Sequence, residues 1–379
     1  MQEPVPRSSY NVIDLFSGAG GLSLGAARAG FNVIGAVDVD PEAIRAHMCN
    51  FPNTVHLKTD LSNLSGQSLR LSFGLTKKDI VGLVGGPPCQ GFSNMGRKAT
   101  DDSRNELFVK FFRVVSEFLP VFFLAENVPG LMDERYSEIR KMAFSYVEGK
   151  YVILSPMTIS AEQYGAPTTR KRIFFIGYLS ERMRPLTNNS FRPPSDVEVV
   201  HVKDAFRGLR KRINPKWQKE EQGWRIVRVF GRGYYASRLH GHVPSGVGDP
   251  IALGRLKSES RASGFLGTVH SAKVAKRYAK VEAGKYDAVS KSFRLNQDGF
   301  CPTLRAGTGS DKGSFQAVRP LHPTENRVIT PREAARLQGF PDWFQFSSTK
   351  WHSFRQIGSS VSPIVAEHVL QVIQKNLEI

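Results

Sequence analysis

Cys89 lies directly after two prolines, in a segment that follows an apolar run. The segment reads GGPPCQGFS, and the run before it reads IVGLV. A thiol just past the end of a strand is a candidate nucleophile, and Pro87 and Pro88 would hold it in one direction. The alternative is a buried structural cysteine, which is the common fate of a free thiol. The Pro-Pro-Cys turn favours the nucleophile.

A carboxylate and two arginines adjoin other apolar runs. Glu126 begins the segment ENVPG after the run VFFLA, and Arg170 and Arg172 lead into the run IFFIG. A carboxyl group beside a thiol nucleophile could act as an acid toward a ring nitrogen, although acids are also common at helix N termini. Arginines that enter an apolar strand indicate an acidic or carbonyl ligand better than a solvated charge cluster. The sequence therefore predicts nucleophilic chemistry with an acid and positive charge nearby.

A Gly-rich segment, FSGAGG at residues 16–21, ends the first apolar run. Glycines let backbone amides approach a ligand closely, and the N terminus of a following helix favours negative charge. Asp38 and Asp60 follow later apolar runs, where an acid can accept hydrogen bonds from ribose hydroxyls. The segment is not GxGxxG, which disfavours a nicotinamide cofactor. An adenosyl ligand is therefore a better interpretation than a tight turn with a helix cap.

Alternating apolar strands and helices predict the scaffold that positions these residues. Near-continuous apolar runs are typical of strands in parallel sheets. Strands are predicted at NVIDL, FNVIGAVDVD, IVGLVGG, PVFFLAEN, YVILSPMTI and RIFFIGYL, and helices at LSLGAARAG, NELFVKFFRVVSEF, SEIRKMAFSYVE, TPREAARLQGF and SPIVAEHVLQVIQKNL. This alternation predicts an α/β fold with a doubly wound, mostly parallel sheet. Residues just past the carboxyl ends of such strands face one ligand crevice.

The alternation stops near residue 180, and Gly, Arg, Lys and Ser dominate until about residue 325. We predict one α/β domain formed by residues 1–182 and 326–379, with a smaller domain of residues 183–325 inserted into it. Charge follows the same division. Residues 201–320 hold 24 Lys and Arg and 9 Asp and Glu, a net charge of +15 out of +18 for the chain. So basic a segment indicates a polyanionic partner, either nucleic acid or an anionic membrane.

Three features predict a cytoplasmic protein that does not span a membrane. The three cysteines, Cys49, Cys89 and Cys301, are too scattered to form a disulfide framework, which fits a reducing compartment. No apolar run reaches the ~18 residues that a membrane span needs. The opening residues, MQEPVPRSSY, lack the apolar core of a signal peptide.

The series FSGAGG, GGPPCQGFS, ENVPG, RKRIFFIG and TPREAARLQGFP resembles the DNA (cytosine-5)-methyltransferases of bacterial restriction–modification systems. The resemblance covers nearly the whole chain outside residues 181–325. It implies a Rossmann-like fold and S-adenosylmethionine as methyl donor, with no metal. The implied cofactor-binding residues are Phe16, Gly18, Gly20, Asp38, Val39, Asp60, Leu61, Pro88, Ser360 and Val361.

The same resemblance implies a role for each candidate catalytic residue. Cys89 would be the nucleophile, Glu126 would contact the cytosine ring, and Arg170 and Arg172 would serve the flipped base and the catalytic loop. Adding a thiolate to carbon 6 makes carbon 5 nucleophilic enough to attack the sulfonium methyl, while Glu126 at ring nitrogen 3 stabilises the developing charge. The target base must leave the duplex stack, at a cost of a few kcal/mol. The base that removes the carbon 5 proton is not identified.

Residues 183–325 correspond to the target recognition domain of this family. Double-stranded DNA is the implied partner, bound by a monomer, and a restriction endonuclease could be encoded separately. The polar segment after Cys89, residues 94–104, suits a mobile loop that closes over the base. The implied DNA-binding residues are Ser93, Arg97, Arg104, Thr303 and Leu304.

Two positions depart from the family pattern, and three other functions share parts of it. Thr168 stands where glutamine is usual, and Ser359 replaces asparagine in the C-terminal motif. An amino-group methyltransferase is disfavoured because Cys89 follows the two prolines. A catalytically silent DNA-binding regulator is disfavoured because Cys89 and Glu126 are intact. An RNA cytosine methyltransferase remains an open alternative, because the charge of the inserted segment alone does not distinguish an RNA substrate from a DNA substrate. The sequence does not reveal the recognition site.

Overall fold

The computed structural model describes residues 10–76, 82–88, 105–231, 233–307 and 318–378. Its main feature is an eight-stranded sheet in the order β3-β2-β1-β4-β5-β8-β6, with β7 also paired to β8. The strands are β1 Asn11–Leu15, β2 Asn32–Asp38, β3 Val55–Lys58, β4 Gly82–Gly85, β5 Phe122–Asn127, β6 Val152–Ile153, β7 Met157–Ser160, β8 Lys171–Tyr178, and, in a separate two-stranded sheet, β9 Arg225–Ile226 and β10 Arg261–Ala262. β1 to β5 pair in parallel, whereas β6 and β7 pair antiparallel to β8, which is itself antiparallel to β5. The predicted α/β class with a mostly parallel sheet is confirmed.

Helices cover both faces of the sheet. They are α1 Gly21–Arg28, α2 Pro41–Asn50, α3 Gly66–Ser72, α4 Asn105–Phe118, α5 Ser137–Ser145, α6 Val202–Phe206, α7 Tyr234–His240, α8 Pro250–Glu259, α9 Ala272–Ala279, α10 Pro331–Leu337, α11 Lys350–Ser359 and α12 Pro363–Lys375. In the described ranges, no helix combines the length and apolar character needed to cross a bilayer.

The core divides into two apolar clusters, one on each face of the sheet. Val12 and Val84 belong to one cluster, which includes α1 and α12, whereas Ile13 and Leu83 belong to the other, which includes α4. Successive residues of a strand point to opposite faces, so a strand buried on both faces must be apolar throughout. This requirement explains the unbroken apolar runs of the sequence. Asp14, a carboxylate in the middle of β1, is fully buried and departs from this pattern, as do Glu126 and Asn127 at the end of β5.

One predicted strand is wrong in its extent. YVILSPMTI forms two short strands, β6 and β7, that pair with different parts of β8. Pro156 lies between them and has no backbone N–H to donate to a strand ladder. No helix was predicted at α2, α3 or α11, whose residues mix polar and apolar types, and β3 was predicted only as the apolar run before Asp60.

Residues 183–325 contain short helices, α6 to α9, and the two-residue strands β9 and β10. A small apolar cluster of Val227, Ala262 and Phe265 lies within this segment. Buried arginines of α10 join it to the rest of the chain. Arg332 donates to the carbonyl oxygen of Ser263, and Arg336 donates to that of Ala205. The division into two domains at residues 183 and 325 stays a prediction.

Candidate functional site

The carboxyl ends of the parallel strands meet at one edge of the sheet. Leu15 is paired with both Val37 and Gly85, and Gly85 is paired with Ala125. The residues that follow these positions therefore share that edge. They are Phe16 after β1, Asp38 at the end of β2, Gly86 after β4 and Glu126 near the end of β5.

The Gly-rich turn after β1 is held to the end of β2 by Asp38. The backbone N–H of Gly18 donates to Asp38 Oδ2 at 2.8 Å, and that of Asp40 donates to Oδ1 at 2.9 Å. Burial raises the pKa of Asp38, and these backbone hydrogen bonds act in the opposite direction. Phe16 and Gly18 have positive φ angles of 63° and 56°. Both angles lie in the left-handed region, and a Cβ on Gly18 would meet open space, so the turn leaves room for a ligand at this edge.

The C-terminal motif packs against the start of α1. A Cβ on Gly21 would lie 2.4 Å from the carbonyl oxygen of Val361 and 3.2 Å from Ser360 Cβ. Ser360 and Val361 are both nearly buried. The structure therefore brings these two predicted cofactor-binding residues to the Gly-rich turn, although they are about 340 residues away in sequence.

The residues expected around an adenine ring have different environments. Val39 is 65% exposed beside Asp38, so an apolar surface adjoins the Asp38 carboxylate. Asp60 is exposed, and its carboxylate accepts from the N–H of Ser62 at the start of a short 3₁₀ turn. The Leu61 side chain is buried in the core. Open space at Gly18, a half-buried acid and an exposed valine fit an adenosyl ligand, with Leu61 able to contribute only backbone groups.

Glu126 is the centre of the polar contacts at the edge. Its carboxylate lies 2.6 Å from the Arg172 guanidinium, and both side chains are largely buried. Burial raises the pKa of Glu126, whereas the charges of Arg172 and then Arg170 lower it. A Cβ on Gly86 would lie 3.0 Å from Glu126 Oε2, so only glycine there leaves the carboxylate room.

The neighbouring amide ties the two strand tips together. Asn127 Nδ2 donates to the carbonyl oxygen of Pro87 at 3.3 Å. Pro88 is the last described residue before Cys89. This hydrogen bond places the backbone of Pro87 next to Asn127, the residue that follows Glu126. Cys89 itself, Ser93, Arg97, Arg104 and the segment 94–104 lie outside the described residues.

Arg170 connects the inserted segment to the C-terminal motif. It is 2% exposed, and it donates to the carbonyl oxygens of Leu304, at 3.2 Å, and Ser359, at 3.3 Å. The backbone of Thr169 donates to Cys301, and that of Cys301 donates to Pro167. Leu304 is therefore fixed beside the edge.

The two remaining described positions, Thr303 and Thr168, differ in their burial. Thr303 is exposed next to Leu304, and Thr168 is fully buried and bridged to Cys301. Across the described parts of the chain, no three His, Cys, Asp or Glu side chains converge as a metal site would require.

Sequence reasoning missed several buried polar residues near this edge. Asp14 accepts a 2.6 Å hydrogen bond from the Ser23 hydroxyl, and burial raises its pKa to about 7. Arg336 and Asp342 form a fully buried ion pair, and Arg336 also donates to the carbonyl oxygen of Ala205 in the inserted segment. The acid in the apolar run NVIDL was a usable signal for Asp14. The arginines of PREAARL gave none, because a helix with charged residues at these positions ordinarily exposes them.

The fold and this edge define a Rossmann-like methyltransferase architecture, and comparisons with known proteins specify the family. The profile of the C-5 cytosine-specific DNA methylases matches residues 10–375. This chain therefore belongs to the C-5 cytosine-specific DNA methylase family. It is 38% identical over 371 residues to the Type II methyltransferase M.XorII of Xanthomonas oryzae pv. oryzae, covering 96% of this chain and 84% of the relative. It is 32% identical over 389 residues to M.DdeI of Desulfomicrobium norvegicum, covering 96% and 88%.

Solved structures agree with this assignment. A crystal structure described as a prophage-encoded DNA modification methyltransferase from E. coli superposes with a TM-score of 0.87 at 49% identity, covering 97% of this chain and 99% of that one. The S. pombe Dnmt2 methyltransferase superposes with a TM-score of 0.62 at 17% identity, covering 97% and 98%. The second likeness concerns the fold alone.

Proposed function

We propose that this protein transfers a methyl group from S-adenosylmethionine to carbon 5 of cytosine in duplex DNA, through a covalent adduct between Cys89 and carbon 6. The observation that carries the proposal is the contact of Glu126 with Arg172 at the strand edge, where Asn127 holds the backbone of Pro87, two residues before Cys89 in the sequence. The names of the relatives support a role as the modification enzyme of a restriction–modification system. An orphan methylase without a partner endonuclease has the same chemistry.

One group of residues at the edge binds the methyl donor. The methyl donor, when bound, supplies an electrophilic methyl group on a sulfonium. Asp38 accepts hydrogen bonds from its ribose, the turn with Phe16, Gly18 and Gly20 lies around its methionine part, and Val39 packs against its adenine. Ser360 and Val361 close the other side of the Gly-rich turn. These assignments rest on the fit of the described residues to an adenosyl ligand.

Cytosine activation falls to Cys89, Glu126 and Arg172. The thiolate adds to carbon 6 while Glu126 donates a hydrogen to ring nitrogen 3, so the negative charge of the adduct is neutralised where it develops. Arg172 holds the Glu126 carboxyl group and adds positive charge at the carbonyl oxygen. Arg170 keeps Leu304 of the inserted segment next to this site. After methyl transfer, loss of the carbon 5 proton releases the cysteine.

DNA binding falls to the inserted segment and the loop after Cys89. Residues 201–320 carry most of the net charge, and Arg and Lys that neutralise phosphates release counterions. Ser93, Arg97 and Arg104 contact the DNA around the flipped base, and Thr303 and Leu304 contact it from the inserted segment. We propose that a monomer binds one site, in the cytoplasm.

The test is methyl transfer by the purified full chain. Labelled S-adenosylmethionine is incubated with duplex DNA of mixed sequence or with transfer RNA, and the labelled nucleoside is identified by mass spectrometry. The proposal expects 5-methylcytosine in the duplex. Label on an exocyclic amino group, or on RNA alone, would overturn it. Bisulfite sequencing of DNA from a host that expresses the chain then gives the recognition sequence.

A further inference from the structure

Four polar side chains form a continuous hydrogen-bonded chain behind the Gly-rich turn. The Ser23 hydroxyl donates to Asp14 Oδ2 at 2.6 Å, and His47 Nε2 lies 2.9 Å from Ser23 Oγ. His47 Nδ1 in turn lies 2.8 Å from His56 Nε2. Asp14, Ser23 and His47 are fully buried, whereas His56 is partly exposed. The chain thus runs from the core to the surface.

The fold builds this chain across three parallel strands. Asp14 of β1 is paired with Ala36 of β2, and Ala36 is paired with His56 of β3, so the acid and the imidazole flank one small residue on one face of the sheet. Alanine leaves space between them, which Ser23 from α1 and His47 from α2 fill. Buried polar groups need partners, and here each supplies one to the next.

The chain also supports the turn that we assign to the cofactor. The His47 ring stacks on Phe51 with centroids 4.3 Å apart. A Cβ on Gly20, where φ is 103°, would lie 2.5 Å from the Phe51 ring and 3.2 Å from His47. The turn therefore rests directly on the side chains that carry the hydrogen-bonded chain, and a change within the chain reaches the turn in one contact.

The direction of every hydrogen bond depends on the charge of Asp14. A hydroxyl has one hydrogen and a neutral imidazole has one N–H. With Asp14 ionised, Ser23 donates to Asp14, His47 to Ser23, and His56 to His47. With Asp14 protonated, each of these bonds runs the other way. A proton can therefore leave Asp14 as the bonds reverse, and it emerges at the partly exposed His56 ring.

The groups around Asp14 leave its charge uncompensated. Its Oδ1 has no hydrogen-bond partner among the described residues. Asp38 on β2 faces it with a like charge, Lys58 on β3 is paired with Asp38 rather than with Asp14, and β4 presents apolar Val84. Burial, followed by Asp38, raises the pKa of Asp14 to about 7, whereas burial lowers the pKa values of the two histidines. Asp14 is therefore the member of the chain that changes charge near neutral pH.

We infer that Asp14 is a positioning residue whose ionised form favours a cationic occupant of the Gly-rich turn, so that binding of the sulfonium donor releases a proton through Ser23, His47 and His56. The product S-adenosylhomocysteine is a neutral thioether at the same position, so it gains less from the Asp14 charge and releases less of this proton. This coupling between the Asp14 charge and the ligand charge would favour the exchange of S-adenosylhomocysteine for S-adenosylmethionine. The inference rests on the proposed function, because it assumes that the turn binds S-adenosylmethionine.

Calorimetry of the full chain tests this inference without relying on turnover. Donor and product are each titrated at pH 7 in two buffers with different ionisation enthalpies, and the difference in observed enthalpy gives the protons released. We expect about half a proton for S-adenosylmethionine, clearly less for S-adenosylhomocysteine, and almost none for either ligand at pH 9, where Asp14 is already ionised.

Two variants and a control assign the proton to Asp14. Asp14→Asn keeps a hydrogen-bonding side chain, and it should abolish the difference in proton release and reduce the preference for donor over product about threefold to tenfold. Ser23→Ala interrupts the chain and should change the proton release as well. Asp287→Asn removes a buried carboxylate of the inserted segment whose pKa is lowered, so it should change nothing.

Equal proton release for donor and product, or unchanged release in Asp14→Asn, would overturn the inference. If Asp14→Asn does not fold, the comparison of the two ligands and the Ser23→Ala variant still decide. If neither ligand binds, the proposed function fails instead. The two failures are therefore distinguishable.

Discussion

The Arg172 guanidinium lies 2.6 Å from the Glu126 carboxylate at the edge where β5 and β8 meet. Phe174 is the antiparallel partner of Glu126, and Arg172 is two residues away on the same face of β8. The pairing register thus places the cation diagonally across from the acid. Both side chains are largely buried, so their interaction is stronger than that of an exposed pair.

Replacing Arg172 should change both the rate and the pH dependence of methyl transfer. Because the Arg172 charge lowers the pKa of Glu126, Arg172→Ala should raise that pKa. Glu126 would then keep its proton to a higher pH, and the alkaline limb of the pH–rate profile should shift to higher pH. We expect kcat to fall about 100-fold to 1,000-fold, as for loss of other charge-stabilising donors. Arg172→Lys keeps a charge and should lose less. An unchanged profile with kcat within threefold would remove Arg172 from the site.

Asp38→Ala should weaken binding of S-adenosylmethionine. A hydrogen bond to a charged group contributes about 1.5–3 kcal/mol, so the Kd should rise roughly 10-fold to 100-fold. Calorimetry measures this directly. Asp60→Ala is a useful comparison. Because Asp60 is exposed, its replacement should weaken S-adenosylmethionine binding less than Asp38→Ala does. Unchanged affinity in Asp38→Ala would contradict its assignment to the ribose.

The buried pair of Arg336 and Asp342 should be essential for stability. Arg336→Met leaves Asp342 buried without its partner, which typically costs about 3–5 kcal/mol in the free energy of unfolding. Removing both charges with Met and Leu should recover part of that loss. Arg135→Met, which breaks the exposed pair with Asp133, should destabilise the protein far less. Urea denaturation compares the three, and equal losses in the buried and exposed single variants would contradict the argument.

Exchanging residues 183–325 with those of a relative of different specificity should change the methylated sequence. The motivating observation is the concentration of positive charge in residues 201–320, because the rest of the chain carries only about +3. DNA binding should also weaken steeply with salt. Bisulfite sequencing reads the outcome. An active hybrid that still methylates the original site would show that recognition lies elsewhere.

The sequence predicted those parts of the protein whose structure is determined by residues close together in the chain. Strands buried on both faces must be apolar throughout, so β1, β2, β4, β5 and β8 were visible as runs. Their tips then located Asp38 and Glu126 at one edge. The resemblance to a family added Ser360 and Val361, which no local pattern would have brought to the turn.

What escaped prediction depends on partners that are distant in sequence. Arg336 is buried because Ala205 and Asp342 surround it, and Asp14 is buried because Ser23 and His47 meet it from two helices. The inserted segment lacks a regular period because loops and stacking hold it together. Arg225, for example, lies 3.4 Å from the centre of the Trp217 ring. Such contacts leave no periodic signal in the sequence.

The measurement closest to the central claim is covalent capture on DNA that contains 5-fluorocytosine. Fluorine at carbon 5 blocks the final elimination, so the adduct should persist after denaturation when S-adenosylmethionine is present. The account predicts a stable protein–DNA complex whose cross-linked peptide contains Cys89. Cys49→Ser, at an exposed cysteine, should leave it intact, and Cys89→Ser should abolish it together with methyl transfer. A Cys89→Ser enzyme with turnover within tenfold of the parent, or an adduct on another residue, would contradict the account.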